Sequence, residues 1–331
     1  MAAYRTIIAV AVLLAVALAL PFTVPTYYVQ FASKVLIMGI LAMALNLVVG
    51  FGGLVSLCHA AFFGLGGYAL ALATPKYDPA SFFVSFPFAV GSAALAALII
   101  GALALRTRGV YFIMVTLAFG EMLFFLFHDT AIAGGSDGTF INYKPEVAIA
   151  GTMLLDLDRP LVFYFAVLTC LLATIALLTM LVRSPFGHAL AAARDNERRA
   201  RSLGFPIFRL RLTAFVISGA IAGVAGYLAA AQFGYVAPQM LGWHLSATVL
   251  VMVLIGGLRS VAGPLIGAFV LLGLEEVLKT ATEYWKLIEG LVVIAIVLAL
   301  PDGMRHLLIA AFGPANDDTP TVTSVAEAKH V

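Results

Sequence analysis

Four polar side chains interrupt long apolar runs of this sequence: Asn46, Ser56, His59 and Glu121. Polar and ionisable groups are costly to bury in a membrane, so such residues are candidate contacts for a solute or an ion. Glu121 lies about 10 Å from the nearer end of its apolar run, at 1.5 Å of rise per residue. For Glu121 the structural alternative is a protonated or paired acid that holds helices together, and for His59 it is a satisfied interhelical hydrogen bond.

The segment 183–212 carries the densest charge in the chain. Within it, H-A-L-A-A-A-R-D-N-E-R-R-A-R-S-L at 188–203 lies between Gly187 and Gly204. This run of strong helix formers predicts one helix of about four turns. Its shallow apolar face is formed by Ala189, Ala192, Ala193, Ala200 and Leu203, opposite Arg194, Asp195, Glu197, Arg198 and Arg201. Such a helix is too weakly hydrophobic for a membrane and suits docking to another protein; an ordinary charged loop is the alternative.

Small residues cluster at helical spacings in three segments. They are Gly52, Gly53, Ser56, Ala60, Gly64 and Gly67; Gly219, Ala222, Gly223 and Gly226; and Gly263 and Gly267. The first cluster opens with G-G-L-V-S at 52–56, and G-G-L-R-S recurs at 256–260. Two interpretations stay open: the glycines let helices pack closely, or they mark broken helices around a solute site at the middle of the membrane.

The composition defines the elements that must position these residues. Of 331 residues, 63% are hydrophobic and 11% charged, and the mean hydropathy is +1.06. Soluble domains are roughly 45–50% apolar and about 25% charged. A chain of this composition cannot cover a globule with polar side chains, which predicts an all-α, polytopic bundle of transmembrane helices.

About ten spans are predicted, because a crossing needs roughly 17–25 mostly apolar residues. They are 6–22, 31–49, 54–73, 82–105, 110–127, 161–182, 213–235, 245–257, 264–278 and 286–300. The first resembles a signal peptide but lacks a clear cleavage site, so we expect it to be retained. The pair 245–257 and 264–278 is short, as expected for broken or re-entrant segments.

The basic residues predict the orientation. With the amino terminus inside, one side receives 13 of the 19 basic residues: Arg5, Arg106, Arg108, Arg183, six arginines within 194–211, Arg259, Arg305 and Lys329. Cytoplasmic loops are enriched in Lys and Arg, so both termini and the loop 183–212 are predicted to be cytoplasmic. The membrane domain is expected to cover 1–313, the turn-rich loop 128–160 to be external, and 314–331 to form a polar, disordered cytoplasmic tail.

Several classes of chemistry are excluded by motifs the sequence lacks. None of its lysines follows a glycine, so it has no G-x-x-x-x-G-K-[S/T] loop to cradle phosphates. It also lacks H-E-x-x-H and a paired-cysteine metal motif. Cys58 and Cys170 lie in apolar runs and are interpreted as packing residues. Catalysis, a metal site and, at a net charge of +2, a nucleic-acid partner are therefore not expected.

Taken together, these motifs resemble branched-chain amino acid ABC importer permeases of the LivM type. L-C-H-A-A-F-F-G-L-G-G-Y at 57–68 is similar to that family's S-L-G-H-A-A-F-F-G-I-G-A-Y stretch. The other matches are R-G-V-Y-F at 108–112, T-L-A-F at 116–119, G-G-S-D-G at 134–138, R-D-N-E-R-R-A at 194–200 with S-L-G at 202–204, and the glycines of 256–268. Cys58, Arg259 and His188 depart from the family pattern, which weakens any fine assignment of substrate.

The resemblance implies an inner-membrane permease that pairs with a second permease within the membrane lipid. Two cytosolic ATPases would bind the ATP, so this chain itself needs no cofactor, and a periplasmic solute-binding protein would deliver the solute. Coupling to an ATPase would fall to Arg194, Asp195, Glu197, Arg198 and Gly204. The expected substrate pathway, at the interface of the two permeases, involves Ser56, His59, Gly64, Glu121, Gly256 and Gly257.

The implied solutes are leucine, isoleucine and valine. Urea, short amides and aromatic acids are alternatives within the same importer type. An autonomous carrier driven by an ion gradient is a different class, which would need coupling acids within the spans, and a membrane scaffold without transport is a third.

Overall fold

The computed structural model of the chain describes residues 17–75, 78–149, 152–258 and 260–299. Residues 17–23 are helical. The subsequent helices are α1 (Thr26–Asn46), continued by a π-helix (Leu47–Phe51), α2 (His59–Ala73), α3 (Phe82–Ala104), α4 (Val110–Asp129), α5 (Pro160–Arg183), α6 (Pro185–Asp195), α7 (Glu197–Ser202), α8 (Ile207–Phe233), α9 (Trp243–Gly256), α10 (Gly263–Ala281) and α11 (Trp285–Ala299).

Short strands and 3-10 turns occupy the connections after α4 and α8. Strand β1 (Thr139–Phe140) pairs antiparallel with β4 (Tyr235–Val236), and β2 (Val147–Ile149) pairs antiparallel with β3 (Thr152–Leu155). The 3-10 turns are Ile132–Asp137 and Pro238–Leu241. The predicted turn-rich loop 128–160 thus contains small paired strands, while the fold class remains all-α.

Two long helices lie at the centre of the bundle. In the most apolar part of each long helix, 83% of the residues are buried for α1 with its π-helix and 78% for α8. The corresponding buried shares are lower for the other three long helices: 28% for α3, 22% for α4 and 39% for α5. Helix α2 packs against α8 and α3, and α10 packs against α9 and α1. The centre is therefore formed by α1, α2 and α8, and the other long helices lie around it.

Glycines allow this close packing. A Cβ added at Gly226 of α8 would overlap the backbone carbonyl of Phe63 in α2, and one at Gly66 would overlap the backbone of Gly223. A Cβ at Gly267 in α10 would overlap the carbonyl of Met252 in α9. Helices that approach to backbone contact gain van der Waals packing that larger residues would prevent. Of the residues in the predicted clusters, Gly223, Gly226 and Gly267 confirm the close-packing interpretation, and Gly66 lies outside those clusters.

The helices agree with most of the predicted spans. Nine of the ten predicted spans coincide with a helix in the part of the chain that the structure describes, and five helices are long and apolar enough to cross a membrane. The protein is a multi-pass helical membrane bundle; the exact number of crossings stays a prediction. Several predicted features lie outside the described residues. They are most of the first span, the tail 314–331, and the basic residues Arg5, Lys76, Arg259, Arg305 and Lys329.

Two predicted helices are wrong in detail. The span 54–73 becomes helical only at His59, because Gly53 has a φ of 68° and residues 54–58 continue without helical structure. The single helix over 188–203 is instead two helices, α6 and α7. Asn196, with φ −152°, interrupts the run and accepts a hydrogen bond from the Arg199 N–H. Asparagine favours such a cap over a helix interior, and the broken helix follows from it.

Candidate functional site

Helices α6 and α7 belong to the end of the bundle that we call the arginine-rich end. It is formed by the segment 183–212, the π-helix and the turn between α9 and α10. Helix α6 begins at Pro185, and its cap Ser184 accepts a hydrogen bond from the Gly187 N–H at 3.4 Å. Proline suits a first helical position because that N–H has no intrahelical partner.

The apolar side of these helices packs against the bundle. Ala189, Leu190 and Ala193 of α6 and Ala200 of α7 are buried. Ala193 and Ala200 form a small apolar cluster with Ile207, at the start of α8. Three of the five residues of the predicted docking face are thus covered by the chain's own residues, whereas Ala192 and Leu203 are exposed.

Arg194 points into the bundle. Its Nη1 donates a hydrogen bond of 2.5 Å to the carbonyl of Gly50, and its Nε and Nη2 donate to Asp195 Oδ1. Its side chain is 22% exposed, and its methylene carbons lie against Gly53. An arginine held by a helix carbonyl and a carboxylate connects α6 to the π-helical end of α1.

Glu197, on the other side of the break at Asn196, binds three arginines. Its carboxylate lies 3.1 Å from Arg108, 2.8 Å from Arg201 and 3.0 Å from Arg211. Burial raises the pKa of Glu197, but the hydrogen bond and charge of Arg211, together with the charges of Arg108 and Arg201, outweigh it and lower the pKa overall. Glu197 therefore stays ionised and joins α7 to α8 and to the α3–α4 connection.

The remaining predicted coupling residues face outward. Asp195 has a 65% exposed side chain, and Arg198 is exposed. Gly204 adopts a φ of 86° with open space around it, where a residue with a side chain would be strained. Leu203 and Phe205 on either side of it are exposed too. This outward surface combines apolar and arginine side chains; aromatic residues and arginine are enriched at protein interfaces and among the residues that dominate their binding energy.

Two predicted pathway residues, Ser56 and His59, form a buried polar cluster. His59 Nε2 lies 2.7 Å from Ser218 Oγ, and His59 Nδ1 lies 3.2 Å from Ser56 Oγ. Ser218 donates its own hydrogen to the carbonyl of Ala44, so it accepts from His59, which assigns the hydrogen to Nε2. Both His59 and Ser56 are fully buried within the chain. Their geometry is that of a satisfied interhelical hydrogen-bond network.

Distant side chains satisfy the backbone at the start of α2. The Ala60 N–H donates to Ser246 Oγ at 2.9 Å, and the Leu57 N–H donates to Thr116 Oγ1 at 3.3 Å. Backbone donors without partners are very costly in an apolar environment. The non-helical entry of 54–58 is therefore stabilised by hydroxyls from α9 and α4.

Glu121 and Gly64 lie elsewhere, towards the opposite end of the bundle. Glu121 Oε1 accepts a hydrogen bond of 3.3 Å from the N–H of Trp243, the first residue of α9. A carboxylate at a helix N-terminus offsets the partial positive charge there. Gly64 packs against Leu241, in the 3-10 turn that leads into α9. This position gives Glu121 a helix-capping role.

Gly256 and Gly257 lie at the arginine-rich end. Gly256 packs against the backbone of Gly263, and Gly257 has a φ of 97°. The turn they open contacts the end of α1: Asn46 Nδ2 donates a 2.7 Å hydrogen bond to the carbonyl of Ser260. The six predicted pathway residues thus fall in three separate places, and Ser56 and His59 are hydrogen-bonded to each other.

Sequence reasoning missed Ser218, Ser246 and Gly50. Single serines in apolar helices and a glycine among valines carry no distinctive signal. Arg211 lies within the segment 183–212 and Arg108 within the motif 108–112, so both could have been found as basic residues predicted to lie on the same side of the membrane. Among the residues with described positions, no group of three or more His, Cys, Asp or Glu is arranged to hold a metal.

The fold and this end of the bundle define a helical transmembrane protein with a structured segment, 183–212, outside its spans. Comparison with known proteins identifies the class further. The family model described as "Branched-chain amino acid transport system / permease component" matches residues 27–297. The chain belongs to this family of ABC transporter permease components.

Curated relatives agree with this assignment. The chain is 33% identical to the high-affinity branched-chain amino acid transport system permease protein LivM of Escherichia coli over 311 residues, 88% of this chain and 73% of that protein. A probable LivH permease of Methanocaldococcus jannaschii is 30% identical over 46% of this chain and 47% of its own length. The autoinducer 2 import system permease LsrC of Klebsiella pneumoniae is 31% identical over 45% and 48%. No solved structure matches the chain.

Proposed function

We propose that this chain is an inner-membrane permease subunit of an ATP-driven importer that carries leucine, isoleucine and valine. Membership of the permease family and the name of its LivM relative support this function. The sequence has no phosphate-binding loop of its own, so ATP hydrolysis would belong to two cytosolic ATPase partners. A second permease and a periplasmic solute-binding protein complete the proposed assembly.

The observation that carries the coupling role is the organisation of 183–212. Arg194 and Glu197 fix α6 and α7 to the bundle, while Asp195, Arg198, Leu203 and Phe205 face outward. A segment that is anchored inward and presents apolar and arginine side chains outward suits a cleft on an ATPase. With this face in the cytoplasm, both chain termini would also be cytoplasmic.

The proposed substrate pathway runs along α4. This helix has the smallest buried share of the long helices and carries Glu121. Its exposed side chains include Tyr111, Met114, Met122 and Phe125. We assign this surface to the second permease, with the solute passing between the two. Ser56, His59 and Gly64 would then support the pathway from behind, because their own chain buries them.

The solute itself rests on the relatives. LivM and LivH are named for branched-chain amino acids, and LsrC for autoinducer 2. The match to LsrC covers under half of this chain, and the match to LivM covers 88%. Branched-chain amino acids are therefore the first solutes to test, before urea, amides and aromatic acids.

Uptake of labelled leucine by cells expressing the complete operon tests the function. We expect uptake that isoleucine and valine inhibit, that stops when ATP is depleted, and that continues when an ionophore collapses the ion gradient. Collapse of uptake with the ionophore at normal ATP levels would instead support an autonomous carrier, in which Glu121 would be the first acid to mutate. Inhibition by urea, acetamide or benzoate alone would reassign the solute but keep the importer.

The double variant Arg194→Glu with Arg198→Glu tests the coupling segment. It reverses the charge of one anchoring and one outward arginine, so we expect membrane insertion at the normal level with no uptake. Wild-type uptake by this variant would exclude α6 and α7 as the coupling element. Arg106→Glu, at an exposed arginine in the α3–α4 connection outside this segment, is the matched control.

A further inference from the structure

We propose that Arg194 is a positioning residue that makes α6, the π-helical end of α1 and the α9–α10 turn move as one unit. The proposal rests on the coupling role proposed above for the segment 183–212. It assigns to Arg194 the transmission of movement into the bundle, rather than contact with a partner protein.

The first link is between Arg194 and Gly50. Gly50 lies in the last turn of the π-helix, where helix carbonyls lack intrahelical donors and the helix dipole is negative. The Arg194 guanidinium satisfies that carbonyl at 2.5 Å and brings a positive charge to it. The same guanidinium is held in orientation by Asp195. The contact is therefore both directional and charge-assisted.

The second link is steric. Gly53 follows the π-helix with a φ of 68°, and a Cβ at this position would overlap Arg194 Cγ. The arginine side chain thus lies in a groove that exists because Gly53 has no side chain. The hydrogen bond prevents α6 from moving away from α1, and the packing prevents it from moving closer.

The third link joins the π-helix to the α9–α10 turn. A Cβ at Gly50 would overlap the carbonyl of Leu258, so the two backbones are in direct contact. One turn earlier, Asn46 donates to the carbonyl of Ser260 at 2.7 Å. The π-helix therefore lies between Arg194 on one side and the α9–α10 turn on the other. π-Helical turns are often found at functional positions.

These links form a continuous path from α6 to the start of α10. Without Arg194, α6 could shift with an ATPase while α1, α9 and α10 stay in place. ATP would then be hydrolysed without movement of the membrane helices. Loss of Arg194 is expected to uncouple hydrolysis from transport, rather than to prevent assembly.

The test is Arg194→Met in the complete complex, reconstituted in liposomes with its binding protein and leucine. Methionine keeps the apolar stem but removes every hydrogen bond. Arg106→Met, at an exposed arginine outside the segment 183–212, is the matched control. We expect the variant to assemble and hydrolyse ATP, with leucine transported per ATP reduced at least about fivefold, the lower end of common coupling effects. Arg194→Lys, which can still donate to Gly50, should restore part of the ratio.

A second variant approaches the same contact from the other side. Gly53→Ala places a Cβ in the groove that holds Arg194 and should lower the ratio as well. Gly109→Ala, also at a positive φ of 59° but with open space around it, controls for backbone strain and should leave the ratio unchanged.

Four outcomes would overturn the proposal. A wild-type ratio in Arg194→Met would show that the link transmits nothing. Transport and hydrolysis that fall together at a constant ratio, or loss of the ATPases from the variant complex, would make Arg194 a stability or docking residue. If the wild-type chain itself bound no ATPase, the proposed function would fail first, and this inference with it.

Discussion

The two glycine turns of this protein begin with nearly the same five residues and lead to different surroundings. In both, a helix ends, a glycine follows at positive φ (Gly53 at 68°, Gly257 at 97°), and a serine stands three residues before the next helix. After the first turn the chain enters the interior, and Ser56 is fully buried beside His59. After the second, Ser260 stays at the arginine-rich end and accepts a hydrogen bond from the Gly263 N–H.

The shared pentapeptide therefore specifies a helix end, whereas distant residues determine the structure of the segment after it. The first turn leads into a non-helical segment because Ser246, Thr116 and Ser218 supply hydrogen bonds there. At the second turn, Ser260 itself accepts the Gly263 N–H, and one distant side chain, Asn46, donates to the Ser260 carbonyl. The π-helix that leads into the first turn contacts the second turn through Gly50 and Leu258, so a change at this contact should affect both turns.

The largest effect is expected at the contact between Gly50 and Leu258. Gly50→Ala would place a Cβ against the Leu258 carbonyl and the Asn46 side chain, and a backbone group cannot move aside as a flexible side chain does. We expect a loss of unfolding free energy of at least about 3 kcal/mol and no uptake, since overpacking costs about 1–3 kcal/mol even where side chains can adjust. Thermal unfolding in detergent measures it.

Gly91→Ala is the matched control for Gly50→Ala. Gly91 lies within α3, and a Cβ added there would meet no other atom, so alanine should be neutral or stabilise the helix by up to about 1 kcal/mol. Equal effects of the two substitutions would contradict the close contact between the turns.

The next largest effect concerns only the first glycine turn, at 52–56, which leads into the interior of the bundle. His59→Leu leaves the Ser56 and Ser218 hydroxyls without their shared partner in the bundle. We expect a loss of about 2–3 kcal/mol, because an unsatisfied buried polar group costs about 1–3 kcal/mol. The exposed His188→Leu should change stability by less than about 0.5 kcal/mol. A stable His59→Leu protein that has lost only uptake would instead make His59 a solute contact.

The third effect is smaller and depends on pH. Because the pKa of Glu197 is lowered in the folded protein, its ion pairs contribute stability above the ordinary pKa of 4.5 and lose it as the pH falls through the lower folded value. At pH 7, Glu197→Gln should destabilise α7 by about 1 kcal/mol, a modest value for partly exposed pairs. Hydrogen exchange of the segment 197–204 measures it.

Asp195→Asn controls for removal of a carboxylate from the same segment. Asp195 is mostly exposed and its ion pair is with Arg194, so exchange in α7 should change less than in Glu197→Gln. The difference between the two variants should also shrink as the pH falls below the ordinary pKa of 4.5 and Glu197 itself becomes protonated. A difference that stays constant as the pH falls would contradict the role of the Glu197 charge.

The smallest effect is expected at the second glycine turn, between α9 and α10. Ser260→Ala removes the acceptor for the Gly263 N–H and should cost about 0.5 kcal/mol, the lower end of the usual range for a helix cap. Uptake should persist, because the backbone contact of Leu258 with Gly50 remains. Complete loss of uptake in Ser260→Ala would mean that the second turn does more than begin α10.

Hydropathy alone predicts most helices of this fold. The runs that form α1, α3, α4, α5 and α8 are long and apolar, so length and composition suffice. The non-helical stretch 54–58 cannot be predicted in this way. Leu54, Val55 and Leu57 are as apolar as a helix would be, and the hydroxyls that stabilise the opening lie on α4 and α9.

The coupling segment shows the same limit for a site. Its position and charge follow from the sequence, but the direction of each side chain does not. The sequence predicts that Arg194 and Glu197 face a partner, and they bind their own bundle instead. Arg194 reaches a carbonyl 144 residues away, a distance that no local pattern encodes. Asn196, which divides the predicted helix, is visible in the sequence as a residue that favours caps.

The most direct test of the importer assignment is to isolate the tagged chain gently from its native host and identify its partners by mass spectrometry. We expect two P-loop ATPases and a second multi-span permease, held more weakly when Arg198 is replaced by Glu and retained when Arg194 is replaced by Met. Recovery of the chain alone, even after crosslinking, would contradict the importer and point to a carrier that works by itself.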